Sequence, residues 1–208
     1  TACDSYDWND STYTQSGIYY SNLISDNSYS LEFNQNDKIM IPNSPELNPS
    51  EITISFWTRL NSIKDYNHFV NKWGGSGGNM HQYIVSANTS GLYVYLDNQQ
   101  FTTSILPNIN EWEHVAFTYS SSIGQGKLYL NGIEVHAFSS SIQLSPTLLD
   151  LHIGGEGWGN YSFNTLDGFI DEVNIWDYCL DQSAIQQYMN CPPTGTESGL
   201  VGYWNFEE

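Results

Sequence analysis

Two short segments gather the residue types that could do chemistry. The first, Lys72 to Tyr83, holds four glycines within positions 74–78, flanked by Trp73, Asn79, His81 and Gln82. The second, Gly154 to Asn164, sets Glu156, Trp158, Asn160 and Asn164 among further glycines. Glycine lets the backbone come close to a ligand. An indole offers a flat face to the C–H side of a pyranose, while carboxamides and carboxylates bond its hydroxyls. This pairing predicts a glycan site built from Trp73, Asn79, His81, Gln82, Glu156, Trp158 and Asn160. The plainer reading is a pair of hairpin turns whose tryptophans fold back over a sheet edge, with His81 a solvated residue at a strand start.

Catalytic constellations are missing from the sequence. Glu111 and Glu113 share a strand face, but Val115 and Phe117 continue it as core, and no third acid follows. Neither a Gly-x-Ser-x-Gly elbow, a His-Glu-x-x-His pair nor a phosphate loop occurs. The expectation is a protein that is not an enzyme.

Charge narrows the partners further. The formal net charge is −18, with five cations: Lys38, Arg59, Lys64, Lys72 and Lys127. Five scattered cations cannot form the basic footprint that nucleic acid requires, and anionic surfaces are repelled at long range. Only 13% of residues are charged, so the polar surface is mainly Asn, Ser, Thr, Tyr and Gln. Such a surface suits a neutral polyhydroxylated partner. No apolar run is long enough to span or insert into a membrane.

The elements that must position these residues are strands. EITISFWTRL alternates, Ile52, Ile54 and Phe56 facing one way, Thr53, Ser55 and Trp57 the other. HQYIVSA, GLYVYLD and EWEHVAFTY continue the pattern, with Leu92, Val94 and Leu96 opposed by Tyr93, Tyr95 and Asp97. Asn131-Gly132 is a type I′ hairpin signal. Strand signals recurring every 8–12 residues indicate a sandwich. DQSAIQQYM alone reads as helix, capped by Asp181. The predicted class is all-β, a two-sheet antiparallel jelly-roll sandwich with one short helix near the C-terminus. One sheet of a jelly roll is concave, and its rim loops can gather distant side chains.

Cys179 and Cys191 bracket the helix and form the expected disulfide, which implies an oxidising, extracellular or cell-surface setting. Cys3 is left over, as though the chain were excised from a longer multi-module protein. No basic-then-apolar leader precedes Thr1. Residues 1–28 are poor in aliphatics. Their Cys-Asp-Ser-Tyr-x-Trp-Asn and Thr-Tyr-x-x-Ser-Gly-x-Tyr patterns resemble short repeats of bacterial surface proteins. They are read as a linker or truncated repeat ahead of a domain spanning 29–208; an ordinary first strand and loop is the alternative.

Taken in order, five segments resemble the laminin G-like/pentraxin branch of the concanavalin A-like lectins. These are SLEFNQNDKIMIPNSPELNPSEITISFWTRL, EWEHVAFTY, GKLYLNGIEV, LHIGG…LDGFIDEVNIWDYCLDQSAIQQYMNC and GLVGYWNF. The resemblance implies the jelly roll over about 29–208 and a structural role for His114. It also implies Ca2+ beside the ligand, held by Asn79, Glu156 and Asn164. The branch's next oxygen ligands are here Gly157 and Trp158, against the roughly 6–8 oxygens calcium takes. A separate calcium at Asp171 is the other placement, with internal hydrogen bonding of Asp171 and Glu172 as the plain alternative. Glycosidases of this superfamily carry Glu-x-Asp-x-x-Glu on one strand, and this chain has none. The resemblance thus implies a non-catalytic lectin-like module of a larger adhesive protein, or else a protein-interaction or spacer module of an adhesin.

Overall fold

The computed structural model describes residues 6–8, 11–13, 29–34, 37–74, 81–156 and 165–207; for 6–8, 11–13 and His81 it describes the backbone alone. The strands in chain order begin with β1 (Tyr6–Trp8), β2 (Ser11–Tyr13), β3 (Leu31–Phe33), β4 (Ile39–Ile41) and β5 (Glu51–Leu60). Next come β6 (Asn67–Trp73), β7 (His81–Asn88), β8 (Gly91–Leu96), β9 (Gln99–Thr102) and β10 (Glu113–Ser120). The series closes with β11 (Gln125–Leu130), β12 (Ile133–Ser139), β13 (Leu151–Ile153), β14 (Gly168–Trp176), helix α1 (Gln182–Asn190) and β15 (Leu200–Trp204).

Two antiparallel sheets stack face to face. One runs β12-β11-β10-β5-β14-β15, with β3 also on β14; the other runs β4-β13-β6-β7-β8-β9. Strands β1 and β2 pair only with each other. Period-two alternation is the cause of the layering. Ile52, Ile54 and Phe56 from one sheet meet Tyr83, Val85, Leu92, Val94 and Leu96 from the other in a single buried cluster. Each such side chain adds roughly 1.5–3 kcal/mol of burial. The fold is therefore the all-β sandwich the alternation predicts.

Helix α1 covers part of the seven-stranded sheet's outer face. Ile185 and Leu180 pack there with Ala116, Tyr129 and Trp176, forming a second apolar cluster. Asp181 caps the helix, its carboxylate accepting from Ala184 N at 2.8 Å. Asn131 and Gly132 both take positive φ, 51° and 72°, as a type I′ turn demands.

One expectation is overturned. Cys179 is a free thiol, whereas Cys191 is disulfide-bonded, so the two are not each other's partner. Nearness in sequence misleads here because the chain between them is helix. Cys179 sits before that helix against β5, its Sγ 3.9 Å from the Ile52 carbonyl, and Cys191 caps the far end of α1.

Candidate functional site

The outer face of the six-stranded sheet carries an unusual layer. Strand register sets His68, Ser86, Tyr93 and Thr102 in one row across β6 to β9. A second row runs Met40, His152, Asn71, Ile84, Tyr95 and Gln100. His68, Asn71, Ser86, Tyr93 and His152 are all buried, although each lies opposite the hydrophobic core. Tyr66 stands 46% exposed beside them, its ring 6.1 Å from that of His68. Tyr93 and Tyr95 meet edge to face at 5.8 Å.

Trp73 belongs to this layer. It ends β6, is half-buried, and sets its ring edge-on to His68 at 5.6 Å. His81 lies opposite Trp73 across β6 and β7. Gln82 is buried, and neither atom of its carboxamide has a hydrogen-bond partner. Glu156 is buried as well. Asn79, Trp158, Asn160 and Asn164 lie outside the described residues.

Because β13 runs antiparallel to β6, the two glycine-rich loops leave the sheet at opposite ends. They do not share one rim by virtue of the strands alone. At the described ends of these loops, Trp73 packs against His68, and Asn71 Nδ2 donates to the Gly155 carbonyl at 2.7 Å. Gly154, at φ +80°, makes the turn that begins the second loop; a Cβ there would stand 2.1 Å from the Phe33 ring.

Hydrogen bonding fixes what the layer can accept. Ser86 Oγ donates to the Asn67 carbonyl at 2.7 Å, so it accepts from His68 Nδ1 at 3.0 Å. The network thus assigns the proton to Nδ1 and leaves Nε2 a bare acceptor. Burial pushes the His68 pKa down to about 4, which keeps the ring neutral at pH 7. His68 Nε2 and Asn71 Oδ1 are buried without a hydrogen-bond partner among the described residues. Each such atom costs roughly 1–3 kcal/mol while it stays unpaired. Together they form a patch suited to incoming hydroxyl donors, edged by the aromatic rings of Trp73, Tyr66 and Tyr95.

The expected residues missed His68, Asn71, Tyr66 and the paired tyrosines. Their signal lay in strands rather than loops: Tyr93 and Tyr95 alternate with core residues, and NHFVNKW puts polar groups in a strand that a sandwich buries.

Of the residues expected to hold calcium, Glu156 and Asp171 are among the described residues. The Glu156 backbone carbonyl accepts from Lys38 Nζ at 2.9 Å. Asp171 lies in the other sheet, opposite Trp57, and burial pushes its pKa up to about 7. Its Oδ1 accepts from Glu172 N, the internal hydrogen bonding that was the plain alternative. Among the described residues no group of three or more His, Cys, Asp or Glu is disposed around a metal.

Comparison with known proteins agrees with the fold. A 162-residue stretch is 23% identical to the rat sushi, von Willebrand factor type A, EGF and pentraxin domain-containing protein 1, covering 74% of this chain and 4% of that protein. Over 173 residues the chain is 24% identical to C-reactive protein 3.3 of Limulus polyphemus, covering 74% of this chain and 66% of the relative. The chain thus spans less than two thirds of either relative. Among solved structures, a putative carbohydrate binding protein from Bacteroides ovatus superposes with a TM-score of 0.69 at 20% identity, covering 81% of this chain and 49% of the other. No helix among the described residues is long and apolar enough to cross a membrane. Residues 33–186 match the laminin G-like model described as the concanavalin A-like lectin/glucanases superfamily, and the chain belongs to that family.

Proposed function

We propose that this domain is a non-catalytic carbohydrate-binding module of a larger secreted or cell-surface adhesive protein, taking a neutral glycan on the outer face of its six-stranded sheet. One observation carries the reading: buried bare acceptors at His68 Nε2 and Asn71 Oδ1 lie beside the half-exposed aromatic rings of Trp73 and Tyr95. Sugar hydroxyls would donate into the acceptors while the ring's C–H face rests on an aromatic. Neutral ligand chemistry follows from the net charge of −18. The outward side chains of β6 to β8 offer no carboxylate pair of the kind glycoside hydrolysis uses, which supports binding without turnover. The name of the Bacteroides protein supports the same class.

The test is a titration of intrinsic Trp fluorescence with a panel of neutral oligosaccharides, in calcium and in EDTA. Trp73→Ala is expected to weaken binding by roughly 1–3 kcal/mol, as losing an aromatic hot spot does, with little change in Tm and no dependence on calcium. Loss of stability without any binding by the parent protein would favour the spacer reading instead.

A further inference from the structure

On the other sheet an arginine packs against two aromatic rings. Register places Arg59, Phe169 and Glu32 in one row across β5, β14 and β3, and Trp112 immediately precedes β10. The Arg59 guanidinium carbon lies 4.4 Å from the Phe169 ring centre and 5.9 Å from that of Trp112. Trp112 is 37% exposed. Stacking of this kind holds a guanidinium flat and directs its N–H donors sideways.

Three of the other four cations are hydrogen-bonded: Lys38 to the Glu156 carbonyl, Lys72 to Asn43 and Asn48, and Lys127 to Glu134; Lys64 lies 4.0 Å from Asp167 without a hydrogen bond. Arg59 Nε is buried and unpartnered, and among the described residues no carboxylate approaches the guanidinium within 4.0 Å. This holds in a chain with 23 acidic residues against five basic ones. Glu32 stands exposed in the same row yet does not pair with it.

We infer that Arg59, packed against Phe169 and the neighbouring Trp112, whose rings are 6.3 Å apart, is a recognition point for the carboxylate of an acidic sugar residue on an otherwise uncharged glycan. A planar fork and a carboxylate make two parallel charge-assisted bonds, and the exposed Trp112 ring offers the neighbouring surface for a pyranose. The overall negative charge repels polyanions, so a single carboxylate is the fitting ligand rather than an anionic polymer. This site is separate from the one on the six-stranded sheet, and its test does not depend on that one.

The experiment is calorimetry with a trisaccharide ending in glucuronic acid, its methyl ester, and a capped peptide with a free C-terminal carboxylate. The free acid is expected to bind at least about tenfold more tightly than the ester, the scale of one charge-assisted pair, with the difference narrowing as salt rises. Arg59→Gln should erase the difference, and Trp73→Ala should leave it intact. Should Arg59→Gln fail to fold, Arg59→Lys and Trp112→Ala carry the test, each reducing the acid-to-ester ratio. Equal binding of acid and ester overturns the inference. So does an acid preference that survives these substitutions, preference for the peptide, or no binding at millimolar concentration.

Discussion

Two histidines make this fold sensitive to acid in a defined window. Burial pushes His68 and His114 each down to about 4, against about 6.5 in an unfolded chain. Below pH 6.5 the unfolded chain takes up protons that the fold refuses. Stability therefore falls as pH drops from about 6.5 to about 4, by roughly 3 kcal/mol for each ring. Asp171 acts in the other direction. Its pKa is raised to about 7, so acidification through that range relieves an unfavourable charge, though partial exposure screens the effect. The histidines should dominate, and urea midpoints measured from pH 7 to pH 4 should decline. His114→Gln is expected to make that decline shallower by about half. An unchanged slope would mean that His114 titrates freely, contrary to its packing edge-on against Trp57 at 5.4 Å.

Among the elements, what could be read from sequence was whatever local chemistry determines. The Asn131-Gly132 turn and the Asp181 cap were legible because each depends on residues a few positions apart. The bulge in β14 was not, since Glu172 at φ +52° exists only in relation to β5, where the register shifts between Asp171 and Asn174. Gly91 is a similar case. In sequence it is one more turn glycine after Asn88-Thr89-Ser90. In the fold it has φ +150°, and a Cβ would stand 1.6 Å from the Thr103 carbonyl oxygen. Gly91→Ala should therefore cost roughly 3 kcal/mol or more, from backbone strain together with overpacking. Gly195→Ala is the control: it too has positive φ, +91°, but nothing lies within 4 Å of its Cβ. That change should cost only about 1 kcal/mol, the conformational part. Similar losses in the two variants, measured by thermal unfolding, would contradict the steric argument.

For the whole molecule, the order of strands within each sheet was the least legible feature. Nothing local to β13 says that it lies between β4 and β6, and so the site's floor, built from β6, β7, β8 and β13, could not be assembled from sequence. Glycine-rich loops attracted the functional reading because their composition stands out; the strand residues of the candidate site look in sequence like ordinary sheet. Long-range placement also bears on the last prediction. Every strand of the two main sheets starts at Leu31 or later, and the principal core runs from Phe33 to Ile175. A chain beginning at Tyr29 should accordingly fold. It should nonetheless be less stable than the whole, because Cys191 is disulfide-bonded while Cys179 is free, and the sequence holds just one other cysteine, Cys3. A link closing nearly the entire chain contributes about 5 kcal/mol in the chain-entropy model. Peptide mapping without reduction should yield a Cys3–Cys191 cross-link and an alkylatable Cys179 only after unfolding. Cys191→Ser in the full chain should then match the truncated protein's Tm to within a few degrees. If the full-length variant is stable while the truncated chain is unfolded, residues 1–28 contribute packing to the core, and the domain does not begin at Tyr29.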